Sequence, residues 1–336
     1  MHKDTILHIL YDSPILTDFI DFMEVNFRSN HKYITFITSP TYLKNKNILI
    51  LNIKKIPYFF NFLIYLNASN KIILHGLFDF KMVLILFFQP WLLKKCYWAM
   101  WGGDFYFPEK QHWIKKYVIK HIGHLVTYIK GEYQLAQQWY GVTGKYHECF
   151  MYPSNLYKEH TIHNKMDKTI NIQIGNSADP SNNHLEIFEK LRPFKNENMK
   201  IFAPLSYGNQ LYAKKMASEG QKIFGTKFIP IWNFMAYNEY LAYLETIDIT
   251  IFAHNRQQGM GNTITLLGLG KKIYMKSTVT SYKMFEEIGI KVFDLSSISI
   301  ELLDEEIKQQ NANAIKEYFS SEKLIYQLNT IYLERE

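Results

Sequence analysis

The stretch "DITIFAHNRQQGMGNTITLLGLG", Asp248–Gly270, decides the fold. "DITIFA" is a short apolar, β-branched run of the kind buried in a sheet, whereas "NTITLLGLG" has helical spacing, so "HNRQQGMG" is the loop joining a strand to a helix. A helix N-terminus presents unpaired N–H groups and a partial positive charge. Gly259 and Gly261 let backbone approach an anion closely, and the planar guanidinium of Arg256 matches phosphate oxygens. With Gln257, Gln258 and Asn262 these residues form a candidate diphosphate cradle. The plainer alternative is an ordinary turn in which the glycines only relieve the backbone and Arg256 faces water.

The same strand-to-helix pattern extends outward. "INIQIG", "MKIFAP", "KFIPIW" and "KIYM" are further strands of the second half. Between these strands, helical spacing runs over His184–Leu191, Tyr212–Glu219, Tyr237–Leu244 and Asn262–Leu269. The first half repeats the alternation with "TILHILY", "KYITFIT", "ILILNI", "KIILHG", "CYWAMW" and "HLVTYI". Helices are expected there at Leu16–Phe27, Tyr58–Leu66, His112–Lys120 and Glu132–Trp139. Strands alternating with helices define an α/β fold with parallel sheets covered on both faces. At 336 residues the chain is long for one core, so two Rossmann-like, doubly wound domains are expected, facing a cleft between the carboxyl ends of their strands. The polar, aperiodic segment 156–169 is the expected linker. It would separate a domain at 1–155 from one at 170–310, and 311–336 would be a single C-terminal helix able to pack back on the first domain.

A second loop resembles the first. "IQIGNSADPSNNH", Ile172–His184, runs from strand through Gly175, Asn176 and Ser177 to a helix start. Asn182 or Asn183 could serve merely as an N-cap, and Asp179-Pro180 merely as a turn. Two such mouths in one domain, opening to the same edge, favour a nucleotide diphosphate.

Composition narrows the class. Cys96 and Cys149 are the two cysteines, too few for a disulfide framework or a four-cysteine zinc site, which suits a reducing cytoplasm. The N-terminal segment is too polar for a signal peptide. The longest apolar run, Met82–Leu93, contains Pro90 and falls short of the roughly 20 residues that span a bilayer. Flanked by Lys81, Lys94 and Lys95, it reads either as an interfacial helix or as a buried crossover. Residues 1–165 carry 19 basic and 11 acidic residues, 19 − 11 = +8, and residues 166–336 carry 19 − 20 = −1. The basic half suits an anionic membrane, a lipid phosphate or nucleic acid, and the plainer alternative is a solvated surface. Nucleic acid is not expected as a partner, because none of its recognition motifs is present. Neither a P-loop nor a dinucleotide fingerprint occurs. No Asp-x-Asp occurs either, so no metal and no cofactor are expected, and the helix dipole with Arg256 would neutralise a leaving diphosphate.

Six stretches in order carry a resemblance: "ILHGLFD" (Ile73–Asp79), "WGGDFY" (Trp101–Tyr106), "YPSNL" (Tyr152–Leu156), "IGNSADPSNNH", "PLSYGN" (Pro204–Asn209) and "IFAHNRQQGMGN" (Ile251–Asn262). The chain resembles glycosyltransferase family 56, the 4-acetamido-4,6-dideoxygalactose transferases of enterobacterial common antigen synthesis. The resemblance implies a two-domain GT-B fold with a dTDP-sugar donor on the second domain. It further implies a polyprenyl-diphosphate-linked saccharide acceptor and a peripheral place on the cytoplasmic face of the bacterial inner membrane. It would put the nucleotide base near Tyr237 and Phe234, although core packing is the stronger reading for Trp232 and Phe234 taken singly. Transfer needs a group to deprotonate the attacking hydroxyl. Asp104, after Gly102 and Gly103 at a strand end, is the candidate base. His75, also ending a strand, is a second candidate, either as base or as a hydrogen-bond donor to the diphosphate. The alternative in each case is structural: Asp104 as a turn or helix cap, and His75 as a packed core histidine. A different nucleotide-sugar enzyme on the same fold, such as an epimerase, is the competing function and would need no lipid contact.

Overall fold

The computed structural model describes residues 5–27, 30–37, 39–43, 48–52, 55–159 and 168–334. The chain divides into two compact units, Met1–Leu156 with Ser321–Glu336, and Tyr157–Ser320.

The first unit alternates β1 (Ile6–Leu10), α1 (Pro14–Asn26), β2 (His31–Thr35), β3 (Ile48–Ile50), α2 (Ile56–Ala68), β4 (Lys71–Leu74), α3 (Phe80–Phe88), β5 (Cys96–Ala99), α4 (Trp113–His121), β6 (His124–Val126), α5 (Lys130–Tyr140) and β7 (Lys145–His147). Its strands form one sheet in the order β3-β2-β1-β4-β5-β6-β7. Every pairing in it is parallel. Strands β1, β4 and β5 are buried along their whole length, as expected of strands covered on both faces. Phe62 and Leu66 of α2, Val83 and Leu86 of α3, and Val118 and Ile119 of α4 share one core with Leu7, Ile72 and Trp98 of the sheet. These three helices therefore lie on the same face.

The second unit runs β8 (Ile170–Ile174), α6 (His184–Leu191), β9 (Met199–Pro204), α7 (Gln210–Phe224), β10 (Phe228–Ile231), α8 (Tyr237–Thr246), β11 (Ile249–Phe252), α9 (Met260–Gly268), β12 (Lys272–Met275), α10 (Thr280–Glu287), β13 (Phe293–Asp294) and α11 (Glu305–Tyr318). Its sheet has the order β10-β9-β8-β11-β12-β13, again all parallel. Ile172, Ile251 and Tyr274 of the sheet share a core with Phe188 of α6 and Met216 of α7.

The last helix, α12 (Ser321–Leu333), belongs to the first unit and α11 to the second. The single C-terminal helix expected from the sequence is thus two, broken at Phe319, whose backbone leaves helical geometry at φ −99°, ψ 34°. Lys71, buried at the start of β4, holds α12 in place by donating to the Ile331 carbonyl at 2.8 Å and the Glu334 carbonyl at 2.6 Å. The proposed linker falls partly on residues 160–167, which lie outside the described residues.

Candidate functional site

Both sheets have a topological switch point, between β1 and β4 in the first and between β8 and β11 in the second. Ligands of doubly wound sheets bind at the carboxyl ends of the strands at such points. The two glycine loops read from the sequence are the loops that follow β8 and β11, so the fold brings them together.

Hydrogen bonds tie the loops to each other. Gly175 follows β8 with φ 62°, and a Cβ there would lie 2.7 Å from Asn182 Oδ1 and 2.8 Å from His184 Nε2; only glycine fits. The centre of the arrangement is Asn182, which is fully buried. Its Oδ1 accepts from the Asn176 N–H at 2.8 Å and from His254 Nε2 at 3.0 Å. Its Nδ2 donates to Ser177 Oγ at 3.0 Å and to the Asp179 carbonyl at 3.1 Å. Asn183 Nδ2 donates to the Ala253 carbonyl at 2.7 Å, and Ser181 Oγ to Gln258 Oε1 at 2.9 Å. Asn183, at φ 50°, makes no side-chain cap for α6, so the capping alternative gives way to a cross-loop brace. Because Asn182 Oδ1 can only accept, His254 carries its proton on Nε2. Burial, with the Arg256 charge adding to it, lowers the His254 pKa to about 3 and keeps the ring neutral.

Gly259, at φ 66°, caps α9 with no side-chain acceptor. The first-turn N–H groups of Met260, Gly261 and Asn262 have no carbonyl within the helix to receive them. Half-buried Arg256 flanks this turn and donates from Nη1 to the Gln257 carbonyl at 3.0 Å. Asp179 is held below the usual carboxylate range by hydrogen bonds with Ser181 and, to a lesser extent, by the Arg256 charge.

A cavity of about 400 Å³ adjoins these loops. It is lined by Asn176, Ser206, Tyr207, Phe234, Tyr240 and Asn262, among others. Two buried polar atoms of its lining, Asn176 Oδ1 and Tyr243 OH, have no hydrogen-bond partner among the described residues. Buried polar groups are normally satisfied, so such atoms are matched to a ligand more readily than to the apolar core. Phe234 is 81% exposed at the cavity rim. The side chain of Tyr237 lies outside the described residues.

Beside the switch point of the first sheet, in the loop after β5, Asp104 has no exposed surface. Its Oδ2 accepts from the Leu77 N–H at 2.9 Å and Trp98 Nε1 at 2.7 Å, and its Oδ1 from the Trp101 N–H at 3.2 Å. Burial raises its pKa while these donors and the Lys115 charge pull it down. The carboxylate braces the loops after β4 and β5 and has all three of its hydrogen bonds within the protein. His75 is equally buried. Its Nε2 meets His8 Nδ1 at 3.0 Å and its Nδ1 meets Tyr152 OH at 3.0 Å. Trp101 Nε1 can only donate and does so to Tyr152 OH at 2.8 Å, so the tyrosine proton points to His75 Nδ1. That fixes a row of neutral rings, His75 giving to His8 and His8 Nε2 giving to His31 Nδ1 at 2.9 Å. Both His75 nitrogens are occupied within the protein, which leaves neither for a hydroxyl or a diphosphate oxygen.

The aromatic side chains of this edge escaped the sequence reading. Tyr11 and Trp101 have ring centroids 5.4 Å apart, and Tyr11 and Phe78 also 5.4 Å. Phe78 is about half exposed at 49%, and Tyr11 OH is buried without a partner among the described residues. Gly76, at φ 92°, leaves room for the Phe78 ring, which a Cβ would meet at 2.7 Å. Elsewhere in this unit, His124, His147 and Glu334 place metal-ligand atoms within 4.8 Å of one another. The two imidazoles hydrogen-bond to each other at 2.8 Å, and Lys145 pairs with Glu334.

Two parallel-sheet Rossmann-like units, the second with a helix N-terminus beside a cavity, form a fold of the GT-B type. Solved structures share the fold. A glycosyltransferase from Rickettsia africae aligns over 100% of both chains at TM-score 0.69 and 14% identity. The lipopolysaccharide outer core galactosyltransferase WaaB aligns over 98% of this chain and 99% of its own at TM-score 0.62 and 10% identity. Anabaena HepE, solved with UDP and glucose, aligns over 99% of this chain and 94% of its own at TM-score 0.61 and 11% identity. Residues 44–319 match the family described as 4-alpha-L-fucosyltransferase, glycosyl transferase group 56. The chain belongs to glycosyltransferase group 56.

Proposed function

We propose that the protein moves a 4-acetamido-4,6-dideoxyhexose, or a related deoxy sugar, from a dTDP-linked donor to a polyprenyl-diphosphate-linked saccharide. The product would feed bacterial surface polysaccharide, common antigen or O-antigen, and the protein would work peripherally at the cytoplasmic face of the inner membrane. The observation that carries the donor half is the cavity, whose wall includes both Asn176 of the β8 loop and Asn262 of the α9 first turn. A base lying among Phe234, Tyr240 and Tyr243 would leave its diphosphate at that turn. There the N–H groups of Met260, Gly261 and Asn262, with Arg256, would take up the charge that develops as the sugar–oxygen bond breaks, without a metal ion. Gly175, Ser177, Gln257, Gln258 and Gly259 would shape the same cradle.

On the acceptor side, the exposed ring of Phe78 with Trp101 and Tyr11 gives a sugar an aromatic surface to lie against. In this reading Asp104 and His75 hold that surface from beneath rather than touch the reacting hydroxyl. Calorimetric titration with dTDP, UDP, GDP and CMP tests the donor assignment. dTDP is expected to bind most tightly, and stronger binding by another nucleotide would reassign the donor.

A further inference from the structure

We infer that the protein lies against an anionic lipid bilayer through the face of its first unit built by α2, the turn before β5 and α4. This rests on the peripheral-membrane reading above and names the surface responsible. The inner side of α2 is ordinary core, with Phe62 and Leu66 fully buried. Its outer side is not ordinary surface: Ile56, Phe60 and Ile64, spaced four apart, are 72%, 58% and 62% exposed. A soluble helix carries polar residues on that stripe.

The stripe continues beyond α2. Trp91, 60% exposed, is anchored to its end by a hydrogen bond from Nε1 to Asn67 Oδ1 at 2.9 Å. Phe88 and Trp113 are exposed on α3 and α4, joined through Phe87, whose ring lies 5.4 Å from each. Large contiguous apolar patches mark interaction surfaces, and tryptophan is favoured where one side meets hydrocarbon and the other water.

Charge identifies the partner. Helices α2, α3 and α4 contain no acidic residue. Exposed Lys81, Lys94 and Lys120 lie on or beside them. From Ile56 to His121 there are eight lysines against three acidic residues, Asp79, Asp104 and Glu109; Lys71 and Asp104 are both buried, which leaves 8 − 1 = 7 against 3 − 1 = 2. Apolar residues interspersed with lysines and free of carboxylates suit an interface with anionic headgroups. Helix α3 is not itself the inserting helix, since Met82, Val83, Ile85 and Leu86 face the core; from the run Met82–Leu93 only Phe88 and Trp91 join the face.

The test uses the full chain and sedimentation with vesicles of phosphatidylethanolamine and phosphatidylglycerol, beside pure phosphatidylcholine vesicles. Binding is expected to rise with phosphatidylglycerol content and fall with salt. The Ile56→Ser/Phe60→Ser/Ile64→Ser variant should lose at least about tenfold in partitioning while keeping its Tm and dTDP affinity. Leu185→Ser/Leu211→Ser, on an exposed part of the other unit, should bind as the parent does. On the native sequence, brominated lipid should quench tryptophan emission, and Trp91→Phe/Trp113→Phe should remove most of that quenching. Full vesicle binding by the triple variant together with full quenching in the tryptophan variant would overturn this surface and leave the peripheral reading standing. Absence of vesicle binding by the parent chain would overturn both, with the donor assignment judged separately by calorimetry. A dimer that the triple variant converts to a monomer, without vesicle binding, would assign the face to a second copy of the chain instead.

Discussion

Replacing Asp104 by asparagine separates a brace from a base. The carboxylate accepts three N–H donors and has no surface. An amide can place its oxygen where Oδ2 serves Leu77 and Trp98, but its NH₂ then confronts the Trp101 N–H, now 3.2 Å from Oδ1. One charge-assisted hydrogen bond is lost and a donor faces a donor, which costs about 1.5 to 3 kcal/mol. Removing a buried charge offsets part of this, leaving an expected net loss of about 1 to 2 kcal/mol. Urea unfolding should show the loss as a shifted midpoint at constant m. Transfer measured beside it should show kcat falling less than about tenfold with a raised KM for the acceptor, because the Trp101 loop has loosened. Unchanged stability with kcat lower by a factor on the order of 100 to 10,000 is the mark of a lost general base, and would refute the bracing role.

Three further outcomes are expected. Arg256→Ala should weaken dTDP binding by about 1.5 to 3 kcal/mol, the worth of a charged hydrogen bond, and unchanged calorimetric affinity would remove Arg256 from the cradle. Gly175→Ala puts a methyl 2.7 Å from Asn182 Oδ1 at a φ of 62°; it should destabilise by about 2 to 4 kcal/mol from left-handed strain and a displaced hydrogen bond, read by urea unfolding, and a neutral result would mean the loops are not tied as described. His75 and His254 each titrate near 3 in the folded chain, chiefly through burial, against about 6.5 when unfolded. Below pH 6.5 the unfolded chain takes up protons that the folded chain refuses, so their stabilisation is complete above that pH and is lost toward pH 3. At pH 5 each withdraws about 2 kcal/mol, and equal stability at pH 7.5 and 5 would show these rings to be solvated.

How far the sequence led depended on whether a feature was local. Strands such as "CYWAMW" and "DITIFA" were legible because parallel strands covered on both faces are apolar throughout. By contrast β7 offers only Tyr146 between Lys145 and His147, and β13 has two residues, too little for any period. The break at Phe319 has neither glycine nor proline to mark it. The glycine loops were legible because strand, glycine and helix are contiguous. The part of Asn182 was not, since its partner His254 lies 72 residues away. The row from His31 to Tyr152 is equally non-local: His8 and His75 are 67 residues apart, and only the β1–β4 pairing makes them neighbours.

In the proposed donor site the second unit holds a pyrophosphate with the amides of the α9 first turn and a guanidinium. Calorimetric titration of the protein in EDTA with dTDP, and separately with dTMP, tests it most directly. dTDP is expected to bind at least about tenfold tighter than dTMP, the equivalent of about 1.4 kcal/mol for the added phosphate. Equal affinities, or dTDP binding that appears only when a divalent cation is restored, would contradict it.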